Sequence, residues 1–543
     1  MTKFLNLSVL FITFTLACIH FKCTSGSKQL IKGDYTVVKD EFTIVMEDGI
    51  VLDALSYIPK DLKKPNGLPA IIYCHGFGLS KDSDDASLKD QAEFGYATFS
   101  YSMRGQGKSG GVSDIITRRD AQDLINVVNY VKSLPGINDD RVCIAGGSQG
   151  GIVPFMAVAM GMDVRCLITD LATPDFASSW IENNSIKLTL LWTLSYDNTK
   201  VRYSDNALKF KEWILSGNAY NYQQLFEEFR TNRDFTEIIG NIKIPMLISN
   251  AWQDKFFNTT GVIDNLGKFG VFNKLYFGTM IGHGSEVSQD ELRYRRKLTD
   301  EWLRVWLDDI DGNTINTNLC TYVSSSFPVN DNNWTWKRNY SDAYPFEEIE
   351  NLKFYLHPGG RLAFTPNESS IDTLSFINEV STSLTLKQAV NLEFTGNEFS
   401  SKFHRSEIIF FSDPFVEDYT MLGAPVVDLY YSSSASSMCQ FNLQFYEVDK
   451  YGNNKLITRA NYTDIFATPY SHRNITFKGQ AHSHIFKKGN RLKVIVTNLD
   501  NTNGDIFLRT NPFVLPVLES ARNYIFMNTS QTSTSVILPI LKR

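Results

Sequence analysis

What this 543-residue chain lacks narrows its function before any motif is found. Its 53 lysines and arginines against 59 aspartates and glutamates give a net charge of −6. No lysine- or arginine-rich block interrupts it, which argues against a nucleic-acid partner. No glycine-rich phosphate loop follows a strand, and no paired Cys or His spacing suggests a metal. Cysteine is scarce, 7 in all, and Cys74, Cys143 and Cys166 fall in apolar strand-like runs. They read as packed thiols, not a disulfide framework. Long apolar runs are absent beyond the N-terminus. There, Lys3 precedes an apolar stretch from Phe4 to about Phe21, followed by small residues Cys23 to Gly26. That is the pattern of an export signal over residues 1–25, so a secreted, extracellular protein is expected. A retained N-terminal anchor, or a lipid on Cys18, is the alternative.

What is present starts at Gly146-Gly147-Ser148-Gln149-Gly150. Arg141 to Ala145 before it reads as a buried strand, and Ile152 to Met160 after it as an apolar helix. A serine on such a strand-to-helix turn is a nucleophile elbow, whose small neighbours allow a bend that lifts the hydroxyl above the sheet. The five-residue pattern is weak alone, so its context must carry the argument.

A serine hydroxyl needs a histidine to take its proton and an acid to orient that histidine. On this design the order along the chain is Ser, acid, His. Of the 8 histidines, His20 lies in the leader, His75 precedes the serine, and His357, His404, His472, His482 and His484 fall in a later β-rich region. His283 remains, on a Gly282-His283-Gly284 loop after the strand-like Lys274 to Phe277. Asp254 follows the strand-like Ile244 to Asn250 and is the expected acid, with Asp170 the second candidate. The oxyanion needs two preorganised donors. Gln149 N–H, at the amino end of the helix, is one. Phe77 N–H, in the loop after the strand Ala70 to Cys74, is the other.

The length implies two or three domains. Asp48-Gly49 marks a hairpin turn between the strands Glu41–Met46 and Ile50–Tyr57. Strands and helices then alternate to about residue 171, the signature of a mostly parallel sheet with helices on its faces. Residues 173–240 break that rhythm with helical-looking, aromatic-rich segments, read as a cap over the active site. Trp180 and Trp192 from the cap, with Trp252 beside the acid, are the expected substrate-lining residues. The α/β unit resumes at Ile242 and closes with a helix from Asp290 to Leu307. From about Thr314 alternation takes over, as in Gln440 to Phe445 and Leu492 to Thr497, predicting an antiparallel jelly-roll sandwich. The fold class is therefore an α/β-hydrolase domain over 30–313 and an all-β domain over 314–543. Asn-X-Ser/Thr sites at Asn183, Asn258, Asn333, Asn339, Asn367, Asn461, Asn474 and Asn528 permit glycosylation without implying it.

On these motifs the chain resembles the cocaine-esterase and X-prolyl dipeptidyl-peptidase family of serine α/β-hydrolases. The likeness rests on Met46 to Leu52, Arg104-Gly105-Gln106-Gly107-Lys108-Ser109-Gly110, Ala251-Trp252-Gln253-Asp254, Trp302 to Leu307, Gly423-Ala424-Pro425-Val426 and Lys488 to Leu492. It implies hydrolysis of esters or amides by Ser148, Asp254 and His283, without metal or organic cofactor. Two departures matter. Phe77 stands where many members have a tyrosine whose hydroxyl lines the oxyanion hole. Ser148-Gln149-Gly150-Gly151 also looks like the acetyl xylan esterase and cephalosporin deacetylase group, which lacks the β-domain and has an acidic residue where this chain has Gly284. Arg104 is expected to tie loops together. Ester hydrolysis is the first expectation, through a small-molecule or peptide acyl substrate. Xaa-Pro dipeptidyl-peptidase or deacetylase activity is the alternative, and a catalytically inactive surface-binding protein is the alternative of another class.

Overall fold

The computed structural model describes residues 33, 36–197, 199–252, 254, 256–269, 273–278, 283, 288–308, 319–327, 335–342, 348–368, 373–380, 403–500, 513–527 and 533–542. The export signal expected at 1–25 and the sequons Asn333 and Asn528 lie outside these residues. No described helix is long and apolar enough to cross a membrane.

The first hairpin forms as its turn predicts. β1 (Val37–Val45) and β2 (Val51–Pro59) pair in antiparallel fashion around Gly49, whose φ of 80° a side chain would resist. β2 pairs antiparallel with β4 (Ala97–Tyr101) and from there the sheet is parallel. β3 (Leu68–Cys74) lies between β4 and β5 (Ile137–Gly147). β6 (Cys166–Asp170), β9 (Met246–Ala251) and β10 (Asn273–Gly278) follow in that order. Between β6 and β9 the chain forms a two-residue-per-strand hairpin, β7 and β8 (Ile181–Glu182, Ser185–Ile186), within the cap. β3, β4 and β9 are buried along their whole length, and their sequences read as continuous apolar runs because helices cover both faces.

α1 (Asp85–Glu93) and α2 (Arg118–Lys132) flank the sheet. α2 starts where Thr117 and Asp120 form a capping box, and it buries Leu124, Val127, Val128 and Val131 as one stripe. α3 (Gln149–Ala159) is buried at every residue, which is why its sequence is apolar all round. Pro154 sits in its interior and costs the Gly150 carbonyl its helical donor. The cap is α4 (Phe176–Trp180), the β7–β8 hairpin, α5 (Leu188–Thr193), α6 (Asp205–Ser216) and α7 (Ala219–Asn232), inserted after β6 at the carboxyl edge of the sheet. α8 (Thr259–Ile263) and α9 (Gln289–Asp308) complete the domain.

The expected domain boundary at 313/314 falls outside the described residues. The strand beyond it, β11 (Cys320–Ser326), still belongs to the parallel sheet through β10. At its far end β11 also pairs in parallel with His482–Phe486 of the β-domain, so a single strand enters both domains. The β-domain is the jelly-roll sandwich, with Phe441, Leu443, Phe445, Val494, Val496 and Phe410 in its core. Strict alternation in Gln440 to Phe445 predicts a solvent face, yet Gln440, Asn442 and Gln444 are buried. The cap hairpin packs on the neighbouring strand at Asn461 and Thr463. Ser185 Oγ lies 2.9 Å from Thr463 Oγ1, and Leu515 N–H donates to Ile186 O. Beneath, the Asp500 carboxylate accepts from Gln444, Arg459 and Asn461.

Burial sorts the sequons. Asn258 and Asn461 are inside, Asn367 is nearly so, and Asn183 and Asn339 spend their amides on internal bonds. Asn474 is exposed. The five described cysteines are all buried free thiols.

Candidate active site

The elbow is built by what its glycines leave out. A Cβ on Gly150 would lie 1.9 Å from Cys74 O, one on Gly146 2.2 Å from Gly150 O, and one on Gly151 2.6 Å from Ala172 Cβ. Only hydrogen fits at these positions, so α3 seats directly against β3. Ser148, between them, takes φ 59° and ψ −129°, a sparsely populated conformation held by Ser148 N–H donating to Asp170 O at 2.9 Å.

Asp254 lies just past β9 and is fully buried. Its Oδ1 accepts the N–H groups of Phe256 (2.8 Å) and Phe257 (3.2 Å). Its Oδ2 lies 2.8 Å from His283 Nδ1. A carboxylate only accepts, so Nδ1 carries the proton and Nε2 of the neutral ring is left as a base. The His283 ring is packed between Phe256 (4.7 Å) and Phe257 (5.5 Å). Among the described residues no hydrogen bond ties Ser148 Oγ to His283. In ligand-free sites such bonds are commonly long and tighten when substrate binds. Asp170, the other acid candidate, is held by Arg295 at 3.1 Å.

The Phe77 loop lies over the elbow, since a Cβ on Gly76 would be 3.8 Å from Ser148 Cβ. His75 fixes the loop's root. Its Nδ1 donates to Gly76 O (2.7 Å) and its Nε2 accepts from Met103 N–H (2.8 Å), with burial pushing the imidazole down to about 4. Gln106 is the residue the sequence reading passed over. Its Oε1 accepts from Gly78 N–H (2.8 Å) and its Nε2 donates to Gln149 Oε1 (3.1 Å), joining the Phe77 loop to the elbow. Its position between Gly105 and Gly107, both at positive φ, was the available signal. Arg104 ties loops as expected, pairing with Asp123 and Asp48.

Of the three tryptophans expected to line the substrate pocket, two do not. Trp252 is 2% exposed and turns away, its Nε1 donating to Val323 O at 2.8 Å. Trp180 is 2% exposed and stacks on Phe257 at 5.7 Å, behind the histidine. Both rings are packing, because an indole this enclosed has no face left for a ligand. Trp192 is half-buried and belongs to a run of rings over the site. Phe77 meets Tyr196 (6.1 Å), Tyr196 meets Trp192 (5.3 Å), Trp192 meets Phe256 (5.6 Å), and Phe256 meets His283.

A parallel sheet with an antiparallel β2, a strained serine after β5 and an acid–histidine pair after β9 and β10 define an α/β-hydrolase. Comparison with known proteins gives the family. Residues 48–279 match the X-Pro dipeptidyl-peptidase (S15 family) domain, and residues 323–535 the X-Pro dipeptidyl-peptidase C-terminal non-catalytic domain. With the two domains in this order, the chain carries the catalytic and C-terminal domains of the X-Pro dipeptidyl-peptidase S15 family. A CocE/NonD family hydrolase from Staphylococcus aureus shares the fold, with TM-score 0.73 and 13% identity over 93% of this chain and 94% of that one. An α-amino acid ester hydrolase shares it with TM-score 0.63 and 15% identity over 96% and 98%. An uncharacterised 31.7 kDa protein from Escherichia coli is 32% identical over 109 residues, 20% of this chain and 38% of that protein. The matched stretch thus spans little more than a third of that curated relative.

Proposed function

We propose that the chain is an exported serine hydrolase that cleaves carboxylic esters of apolar acyl groups through an acyl-enzyme. The observation that carries this reading is the 2.8 Å contact between His283 Nδ1 and the fully buried Asp254, at the same carboxyl edge of the parallel sheet as a serine at positive φ. On this mechanism Nε2 of His283 takes the Ser148 proton as Oγ attacks the carbonyl carbon. Asp254 stabilises the imidazolium, and the N–H groups of Phe77 and Gln149 receive the oxyanion. His283 then protonates the leaving alcohol, and water repeats the sequence on the acyl-enzyme.

The ester preference rests on what surrounds the serine. The run Phe77, Tyr196, Trp192 and Phe256 offers an apolar wall to an acyl group. A dipeptidyl-peptidase must also compensate a substrate α-ammonium with a carboxylate. The cap acids that could do so are engaged elsewhere or face solvent. Asp175 caps α4, Glu182 pairs with Lys187 at 3.0 Å, Asp197 holds Thr199, and Glu212 is exposed. The Xaa-Pro reading stands on the family match over residues 48–279. Short and aromatic acyl esters assayed against Xaa-Pro amides separate the two. Ester turnover, with fluorophosphonate labelling lost in Ser148→Ala, is expected. Xaa-Pro cleavage with negligible esterase activity would reverse the reading, and an unlabelled, folded protein would favour a binding role.

A further inference from the structure

Four buried side chains at the junction of the two domains take no part in the chemistry above. Ser325 lies on β11, His482 and His484 on the strand His482–Phe486 that pairs with it, and Glu447 on the strand Cys439–Val448. None is more than 1% exposed. Ser325 Oγ lies 2.7 Å from His484 Nδ1 and 3.0 Å from His482 Nε2, and His484 Nε2 lies 2.7 Å from Glu447 Oε2. Glu447 Oε1 is already occupied by Lys487 N–H and the Asn490 amide, each at 2.7 Å.

Donor and acceptor rules give this row a direction. Glu447 accepts, so His484 donates from Nε2 and accepts at Nδ1. Ser325 gives its single hydroxyl proton to that Nδ1 at 2.7 Å in preference to Ser483 O at 3.3 Å, and His482 Nε2 donates to the Ser325 oxygen. Burial favours the neutral His482 this requires, holding its imidazole well below the usual range. Serine, histidine and glutamate within hydrogen-bond reach are the residue types of a triad. Here they have no access to substrate, and Ser325 sits within a strand instead of on an elbow.

What the row touches is the underside of the acid loop. The His482 ring meets Trp252 edge-on at 6.2 Å, and Trp252 lies two residues before Asp254. Trp252 Nε1 donates to Val323 O, two residues before Ser325. The same β-domain segment grips the loop further along, where Ala481 N–H donates to Thr260 Oγ1 at 2.8 Å. The loop that carries Asp254 is therefore seated on the β-domain through the Trp252 indole and, further along, the Thr260 hydroxyl.

We infer that the row His482–Ser325–His484–Glu447 is a positioning device for Asp254: it fixes the His482 ring under Trp252 and so holds the Asp254–His283 contact in register. The β-domain then contributes to turnover without touching substrate. This rests on the triad reading above. Small displacements of a catalytic group cost large factors in rate, so loss of the ring acts on kcat more than on KM.

The test is steady-state hydrolysis of a short acyl ester by the full chain. His482→Ala is expected to lower kcat about tenfold with KM within about twofold, and to slow fluorophosphonate labelling of Ser148 in parallel. His482→Phe keeps a ring under Trp252 but loses the bond to Ser325, and is expected to recover only part of that loss. Glu447→Gln keeps shape. Its pinned Oε1 leaves an NH2 facing His484, which reverses the row, and kcat is expected to fall about threefold or more. If His482→Ala does not fold, the Glu447→Gln result decides. A folded His482→Ala with wild-type kcat, equal losses in His482→Ala and His482→Phe, or an unchanged kcat in Glu447→Gln would overturn the inference. An inactive wild type, or labelling that survives Ser148→Ala, would overturn the triad reading instead.

Discussion

Replacing Asp254 by asparagine tests the site at one atom. The carboxylate and the amide have nearly the same shape, but the amide has one acceptor and one donor end. Which end points where is settled by the loop: Phe256 N–H and Phe257 N–H both bond Oδ1, and they need an acceptor. The amide oxygen must stay there, so the NH2 group faces His283 Nδ1. Nδ1 then has to accept, the ring proton moves to Nε2, and the base that should receive the Ser148 proton is lost. Wrong-tautomer substitutions of this kind cost about 10³- to 10⁴-fold in kcat, equivalent to ~4–5.5 kcal/mol of barrier. The substitution removes no backbone bond, so the thermal midpoint is expected to stay within a few degrees. The assay is kcat for a short acyl ester, alongside a thermal melt and fluorophosphonate labelling at matched pH. An Asp254→Asn variant that folds normally and keeps kcat within tenfold of wild type would refute the assignment of Asp254 as the orienting acid.

Two further outcomes test the scaffold. Burial drops the His75 imidazole to about 4, below its unfolded value, so the fold prefers the neutral ring. That preference stabilises the protein fully above about pH 6.5 and is lost as pH falls towards about 4, up to ~3 kcal/mol in all. Asp120, pushed up to about 6 by burial, changes in the opposite sense, losing its contribution as pH rises from about 4 to about 6. The two are separated by difference: chemical denaturation of wild type and His75→Gln is expected to show a gap that narrows in favour of the variant on acidification, and a pH-independent gap would sink the idea. At the elbow, Gly150→Ala puts a methyl 1.9 Å from Cys74 O and is expected to cost ~3 kcal/mol or more, or to prevent folding. Gly267→Ala meets nothing within 4 Å and should stay within about 0.5 kcal/mol in the same thermal melts.

The parts of this molecule legible in its sequence are those where one backbone demand leaves one residue type. Gly146 and Gly150 are spaced by the contact of α3 with β3, and Gly49 by a hairpin needing positive φ. The apolar run of β3 reports burial on both faces of a sheet, and chain order narrows the acid to Asp170 or Asp254, of which the contact with His283 selects Asp254. What was not legible depended on how distant elements meet. An aromatic residue looks the same in sequence whether it lines a pocket or fills a core, and so Trp252 and Trp180 were misassigned while Phe256 and Phe257, which hold His283, went unnoticed. Alternation in Gln440 to Phe445 signals two chemically different faces. It does not say that a hairpin from the other domain, Ile181–Ile186, packs beside the polar one, or that Asp500 accepts from Gln444 and Asn461 beneath it. The same reasoning explains β11. Its sequence Cys320–Ser326 is half apolar and half serine because its first residues pair with β10 in the catalytic sheet while Ser325 and Ser326 pair with the β-domain. A strand with two neighbours of different kinds carries two patterns, and hydroxyls are what its second half needs to meet the imidazoles of His482 and His484. The two domains are thus joined through hydrogen-bonded strand and side-chain contacts, and a hinge between them would have to break the bonds that seat the acid loop.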